Sequence, residues 1–274
     1  MDFAGADAGY EDSEAVVLGF PLDATASFRK GTRFAPSRIR EASFSFETYV
    51  RDAETDIREL DVHDQGDEDT WNDVRGTVEF ATETVRDIAD DGKLPVILGG
   101  EHTVSLAGFR GTDASAVVVF DAHLDLKDEF EGSAFSHACV ARRAAEDGRK
   151  VYVVGAREGS YDEWEYADES DAVTVLDFDE FDASVVADEV DGAPYVSVDL
   201  DVLDPGYAPG VGTPVPYGVS PDELREAVRA LAPDAVGFDV VEACPAYGAG
   251  EAEFVAASLV RDFLAFRHAG DRHR

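Results

Sequence analysis

The chain is poor in lysine, cysteine, methionine and tryptophan, and several of these shortages exclude something. Lysine occurs only at Lys30, Lys93, Lys127 and Lys150, and Lys plus Arg total 23 against 59 Asp plus Glu, a formal net charge of −36. A field of that sign repels nucleic acid and anionic membrane surfaces. The 2 cysteines, Cys139 and Cys244, build no disulfide framework and have no zinc-type Cys neighbour. Both are expected to fill core space in a reducing compartment. No apolar run approaches the ~20 residues needed to span a bilayer. Met1 to Tyr10 holds neither a basic segment nor an apolar signal core. The expectation is a cytoplasmic, unprocessed protein without nucleic-acid or membrane partners.

The acidic residues are spread along the chain rather than gathered in a tail. One use of such a surface is to attract a polycationic partner; the simpler one is solubility in a salt-saturated cytoplasm. At molar salt the Debye length is ~3 Å, so self-repulsion is screened. The chain is therefore expected to be halophilic and to lose structure as KCl is diluted. Melting curves in molar KCl and in dilute buffer test this: the midpoint falls on dilution, and an unchanged curve contradicts it.

Hydrophobic residues make up 45% of the 274, enough for a substantial core. Without repeats, low-complexity tracts or a long linker, residues 1–274 are expected to form a single domain. Val-rich runs without alternation predict strands buried on both faces at Ala15–Phe20, Pro95–Leu98, Ala116–Phe120, Lys150–Val154, Ala172–Leu176, Pro194–Val198 and Ala235–Val240. Amphipathic stretches predict helices at Pro36–Tyr49, Trp71–Asp91, Ser136–Glu146, Pro221–Leu231 and Glu251–His268. Ser220, Pro221 and Glu223 form an N-terminal capping signal. The alternation predicts an α/β fold with a mainly parallel sheet and helices on both faces.

Such sheets bind ligands beyond the carboxyl ends of their strands. Gly99-Gly100-Glu101-His102 follows one strand, Asp121-Ala122-His123-Leu124-Asp125 another, Asp199-Leu200-Asp201 a third and Glu242 a fourth. In extended chain, residues two apart share a side, so Asp121, His123 and Asp125 project together, as do Asp199 and Asp201. A D-x-D pair alone is weak in so acidic a chain; Asp177 and Asp179 form one that reads as solvated surface. Histidine is scarcer: there are 6, and His102, His123 and His137 belong to this pattern, whereas His63, His268 and His273 read as surface or terminal residues. So many carboxylates suit two ions rather than one, each with one His and three carboxylate contacts if two carboxylates bridge. Oxygen-rich coordination with some imidazole favours Mn²⁺, with zinc, iron and cobalt still open. Two ions ~3.5–4 Å apart can hold a hydroxide that is nucleophilic near neutral pH.

These segments resemble the ureohydrolase family of arginases, agmatinases and relatives. Gly99–Thr103 (GGEHT) is similar to the family's GGDHS motif, Asp121–Asp125 (DAHLD) to its second motif and Ser197–Pro205 (SVDLDVLDP) to its third. Gly237–Pro245 (GFDVVEACP) and Gly31–Arg40 (GTRFAPSRIR) resemble two further family segments. The resemblance spans roughly residues 15 to 265. It implies the three-layer α/β/α arginase fold, assembly as a trimer or hexamer, and two Mn²⁺ per chain. By the same implication Asp121 and Asp199 bridge the ions, His102 and Asp125 complete one site, and His123 and Asp201 complete the other. His137 would shuttle protons, Asp125 would donate to the leaving amine, and Glu242 would hold the guanidinium. Glu101 stands for the usual Asp and Thr103 for Ser. Tyr217 replaces a frequent Gly, and Gly248 the Asp of many agmatinases.

The implied reaction is hydrolysis of a guanidino C–N bond, from agmatine to putrescine and urea, a step of polyamine biosynthesis. The segment Asp125–His137 resembles the agmatinase version, and Asp128, Glu129 and Glu131 are expected to attract the cationic far end of the substrate. Aminopropylagmatine, arginine, guanidinobutyrate and formiminoglutamate are competing substrates. A related single-zinc deacetylase and a non-catalytic metal-stabilised binding protein are the alternatives of other classes.

Overall fold

In the computed structural model, which describes residues 1–112, 114–182 and 193–272, one sheet of eight strands runs through the molecule. Its strands are β1 (Ala15–Phe20), β4 (Val62–Asp67), β5 (Leu94–Gly99), β6 (Ala116–Phe120), β7 (Lys150–Val154), β8 (Val173–Leu176), β9 (Pro194–Asp199) and β10 (Gly237–Val241). The order is β4-β1-β5-β10-β9-β6-β7-β8, and every pairing is parallel. β2 (Tyr49–Val50) and β3 (Thr55–Asp56) form a small separate antiparallel pair.

The helices are α1 (Ala35–Ser43), α2 (Val74–Asp90), α3 (Ser105–Gly111), α4 (Val140–Glu146), α5 (Tyr161–Glu169), α6 (Pro221–Leu231) and α7 (Glu251–Arg272). Successive strand residues serve opposite faces. Val118 and Phe120 of β6 join the cluster packed against α1, α6 and α7, while Val117 and Val119 join the one packed against α3 and α4. The result is the expected three-layer α/β/α sandwich. No described helix is long and apolar enough to cross a membrane.

Where expectation and structure part, the local chemistry explains it. β4 was not predicted because Val62–Asp67 is polar; its buried and open positions alternate, as an edge strand's should. Arg40, in the Gly31–Arg40 segment, clamps that edge. It donates to Asp64 at 2.8 and 2.9 Å, to the Gly66 carbonyl at 2.9 Å, and to Asp67. α1 stops at Ser43 rather than Tyr49, where Ser43 and Ser45 turn their hydroxyls back onto the carbonyls of Arg40 and Ala42. α3 was hidden by Gly108 and Gly111, poor helix formers. A Cβ on Gly108 would lie 2.2 Å from the Tyr195 hydroxyl, so close packing dictates the glycine.

α6 and α7 are joined by a buried carboxylate. Asp262 accepts from Arg225 at 2.6 Å, Arg229 at 2.8 Å and Arg261 at 2.8 Å. Burial pushes its pKa up, yet the Arg225 and Arg261 guanidiniums hold it below the usual carboxylate range.

Candidate metal centre

The four central strands β5, β10, β9 and β6 end side by side at one edge, and the ligand-type residues sit at or just past those ends. His102 follows β5, Asp121, His123 and Asp125 follow β6, Asp199 closes β9, and Glu242 follows β10. Asp125 and Glu242 adopt left-handed backbone, φ 50° and 65°. Such strain in non-glycine residues persists where surrounding structure imposes it, and it is concentrated at functional sites.

The side chains converge on Asp121. Its Oδ2 lies 3.1 Å from His102 Nδ1 and its Oδ1 lies 3.5 Å from His123 Nδ1. His102 Nδ1 is also 2.8 Å from Asp125 and 3.6 Å from Asp199, while His123 Nδ1 is 3.0 Å from Asp201. Two groups can each surround a cation, His102–Asp121–Asp199 and Asp121–His123–Asp201, and Asp121 belongs to both. Asp201 is itself fixed, accepting from the Ala122 amide at 3.1 Å and the Thr213 hydroxyl at 3.1 Å.

This donor set fits metal ions. His102 Nδ1 and Asp121 Oδ2 are buried, face each other, and make no hydrogen bond. An imidazole lone pair and a carboxylate oxygen so placed are reconciled by a shared cation. Taken by themselves the side chains compete for protons. Burial raises Asp125 to about 7, helped by Asp121, and raises Glu242 to about 8, helped by Glu101 and Asp201. Burial also pushes Asp199 well above the carboxylate range. Burial works against charge on His123, yet Asp201 and Asp121 lift it to about 12.

His137 stands beside the cluster. Its amide donates to Thr25 Oγ1 at 3.1 Å, its Nε2 lies 3.4 Å from Ser27 Oγ, and Phe130 packs edge-on at 5.5 Å. Burial lowers its pKa to about 4, so it is neutral at pH 7 and able to accept a proton. The Glu101 and Thr103 departures now have a role. Glu101 accepts from the Thr25 amide and hydroxyl, both at 2.7 Å, from the Ala26 amide at 3.0 Å and from the Thr103 hydroxyl at 3.0 Å. It anchors the loop against which His137 rests.

A cavity of about 350 Å³ opens onto the cluster, lined by His123, Asp125, Asp199 and Glu242 below and by Phe130, His137, Glu158 and Glu163 around it. A larger hollow of about 680 Å³, at the opposite edge of the sheet, holds neither candidate metal group. The acidic loop corrects an expectation. Asp128 pairs outward with Arg143 at 3.1 Å, and neither it nor Glu129 nor Glu131 lines the cavity. Beyond Asp125, Asp199 and Glu242, the carboxylates that do are Glu163, which accepts Lys127 Nζ at 2.5 Å, and Glu158. The Glu158 amide donates to the Ala122 carbonyl at 3.0 Å, beside His123, and no described residue pairs its side chain. Sequence reasoning passed over it because the segment after β7 carries no paired-ligand motif; scanning that strand end as the others were scanned finds it.

The remaining expectations fall out plainly. Cys139 and Cys244 are buried free thiols. Asp177 and Asp179 are exposed and apart from both metal groups. His63 is half-buried, with Nδ1 2.9 Å from the Ala8 carbonyl, and His273 lies outside the described residues. Tyr217 is 91% exposed with φ 69°, a conformation glycine adopts without strain, which accounts for the usual Gly there.

The Arginase family model matches residues 13–265. The chain is 39% identical to the agmatinase of Pyrococcus horikoshii over 241 residues, 85% of this chain and 84% of that one. It is 38% identical to the N(1)-aminopropylagmatine ureohydrolase of Thermococcus kodakarensis, over 85% of this chain and 83% of that one. Among solved structures, the agmatine ureohydrolase of Thermoplasma volcanium superposes with a TM-score of 0.93 at 34% identity, covering 100% of this chain and 96% of that one.

Proposed function

Because the chain belongs to the arginase family, we propose that it is a manganese-dependent agmatinase, hydrolysing agmatine to putrescine and urea. The observation that carries the reading is the pair of metal-ligand groups sharing Asp121 at the floor of a cavity with Glu242 beside them. His102, Asp121, Asp125 and Asp199 would hold one ion, and Asp121, His123, Asp199 and Asp201 the other. Their oxygen-rich, thiolate-free chemistry supports Mn²⁺. When bound, the ions supply Lewis acidity and a lowered pKa for water.

The chain's own residues do the rest. Glu242, raised to about 8 by burial, gains its charge back when a guanidinium arrives and accepts its N–H groups. Asp125, which lines the cavity, is placed to pass a proton to the leaving amine, and neutral His137 to move protons between the cavity and solvent. Residues 1–274 are proposed to act as one catalytic domain, because the candidate metal ligands sit at or just past the ends of strands of one sheet. Assembly into trimers or hexamers belongs to the same proposal, with exposed Phe28, Phe34, Tyr247 and Phe254 supplying apolar surface.

Glu158 favours a substrate whose far end is a cation. An amine meets an unpaired carboxylate there, whereas the carboxylate of arginine meets like charge, and Lys127 is already held by Glu163. Urea release in molar KCl with Mn²⁺ tests this: agmatine or its aminopropyl derivative yields urea and arginine does not. Urea from arginine alone, or from no guanidine, contradicts it. Glu158→Gln is expected to raise KM for agmatine about fivefold, the upper end for an exposed ion pair, with kcat kept. An unchanged KM removes Glu158 from recognition.

A further inference from the structure

Behind His102 lies a buried polar chain set into two otherwise apolar strands. Asp239 of β10 sits in mid-strand between Phe238 and Val240 and is fully buried. Ser197 of β9 sits between Val196 and Val198, equally buried. Both point to the face opposite those apolar neighbours, toward Ser105 at the start of α3. Ser197 Oγ donates to Asp239 Oδ1 at 2.7 Å and lies 3.4 Å from His102 Nε2. A buried carboxylate is costly, and an apolar residue at 239 would serve the strand better.

A serine hydroxyl has one hydrogen, and here the carboxylate takes it. The oxygen that remains facing His102 can only accept, so Nε2 must carry the imidazole proton. Nδ1 is then the bare lone pair, and it is the atom that meets Asp121, Asp125 and Asp199. We propose that Asp239 and Ser197 are positioning residues that fix His102 as a metal ligand through this carboxylate–hydroxyl–imidazole chain, an inference that rests on the metal-centre reading above. The negative charge passed through the hydroxyl also makes the imidazole a stronger donor to a cation. The other histidine has no such backing: His123 is 25% exposed and no described hydroxyl or carboxylate stands behind its Nε2.

Titration of the metal-stripped protein with Mn²⁺ alone, in molar KCl, tests the relay without reference to urea. Asp239→Asn keeps the shape and an acceptor for Ser197 but removes the charge. It is expected to weaken one of two binding equivalents about 10- to 100-fold and to leave the other unchanged. Ser197→Ala breaks the chain at its middle and is expected to give the same one-site loss, and combining the two adds little more. Excess Mn²⁺ restores full occupancy in each variant. Two equivalents binding as in the parent overturns the relay. Equal weakening of both, with a lowered melting point for the metal-stripped variant, also overturns it, because that is what loosened packing alone would do. A parent protein that binds Mn²⁺ but releases no urea leaves the relay standing and removes only the proposed reaction.

Discussion

Asp121→Ala is expected to lose both ions and to turn substrate over at about one thousandth of the parent rate or less, the several kcal/mol that a metal centre contributes to the barrier. Of the two carboxylates proposed to serve both ions, Asp121 and Asp199, Asp121 is the one that belongs to both compact ligand groups among the described residues. One oxygen faces His102 and the other faces His123, and the side chain is 1% exposed, so solvent cannot replace it. The change should leave the fold intact, since Asp121 lies past the end of β6, its amide ties it to the Val154 carbonyl, and among the described residues its side chain accepts only the local His123 amide at 2.7 Å. Metal content by atomic emission and urea release are read together. His137→Ala is the control: metal content stays at the parent level and turnover slows by about 10²- to 10⁴-fold, the worth of a proton-transfer group. A metal-loaded, active Asp121→Ala protein would remove Asp121 from the centre.

Stripping the metal is expected to lower the melting temperature by about 8–16 °C per ion. That follows from about 4 kcal/mol of linkage at a thousandfold excess over Kd and about 2–4 °C per kcal/mol for a domain of this size. The stripped protein should also lose stability as pH rises. Asp125 at about 7, Glu242 at about 8 and Asp199 well above its usual range are raised in the folded state, chiefly by burial. Between about pH 4, where unfolded carboxylates titrate, and pH 8, the folded stripped protein holds more protons than the unfolded chain, so stability falls through that window. His123 at about 12 adds a loss of the same sign from neutral pH upward. Cations replace those protons in the loaded protein, so the gap between loaded and stripped melting curves should widen from pH 5.5 to pH 8. A gap absent at both pH values, or constant between them, contradicts a buried carboxylate cluster held together by metal.

The legible parts of the fold were those where one signal dominated. β1, β6 and β7 match their expected bounds because unbroken apolar runs leave no other reading. α6 matches because Ser220 and Glu223 form the capping box their spacing announces. β4, α3 and α5 were missed where tertiary need overrode local preference: an acidic edge paired with Arg40, glycines dictated by Tyr195 at Gly108 and by Val85 at Gly111, and an acidic helix started by a Ser160–Glu163 capping box. At the site, Asp121, His123, Asp125, Asp199 and Asp201 announced themselves by period-two spacing after strands. Glu158 and Asp239 did not. One is a single carboxylate on a loop, and the other is a lone acid inside an apolar strand whose meaning depends on Ser197 of the neighbouring strand and on His102 beyond the end of β5. The loop acids misled because exposed acids are common in this chain and only packing distinguishes a solvated one from a lining one.

The central claim is a reaction that needs two ions in one site, and its most direct test is a stepwise titration of metal-stripped protein with Mn²⁺ in molar KCl, with urea release from agmatine read at each step. Urea that stays near background through the first equivalent and rises to a plateau at the second is the result expected. Full activity at one equivalent, or urea released with no metal present, would contradict a binuclear centre built on Asp121.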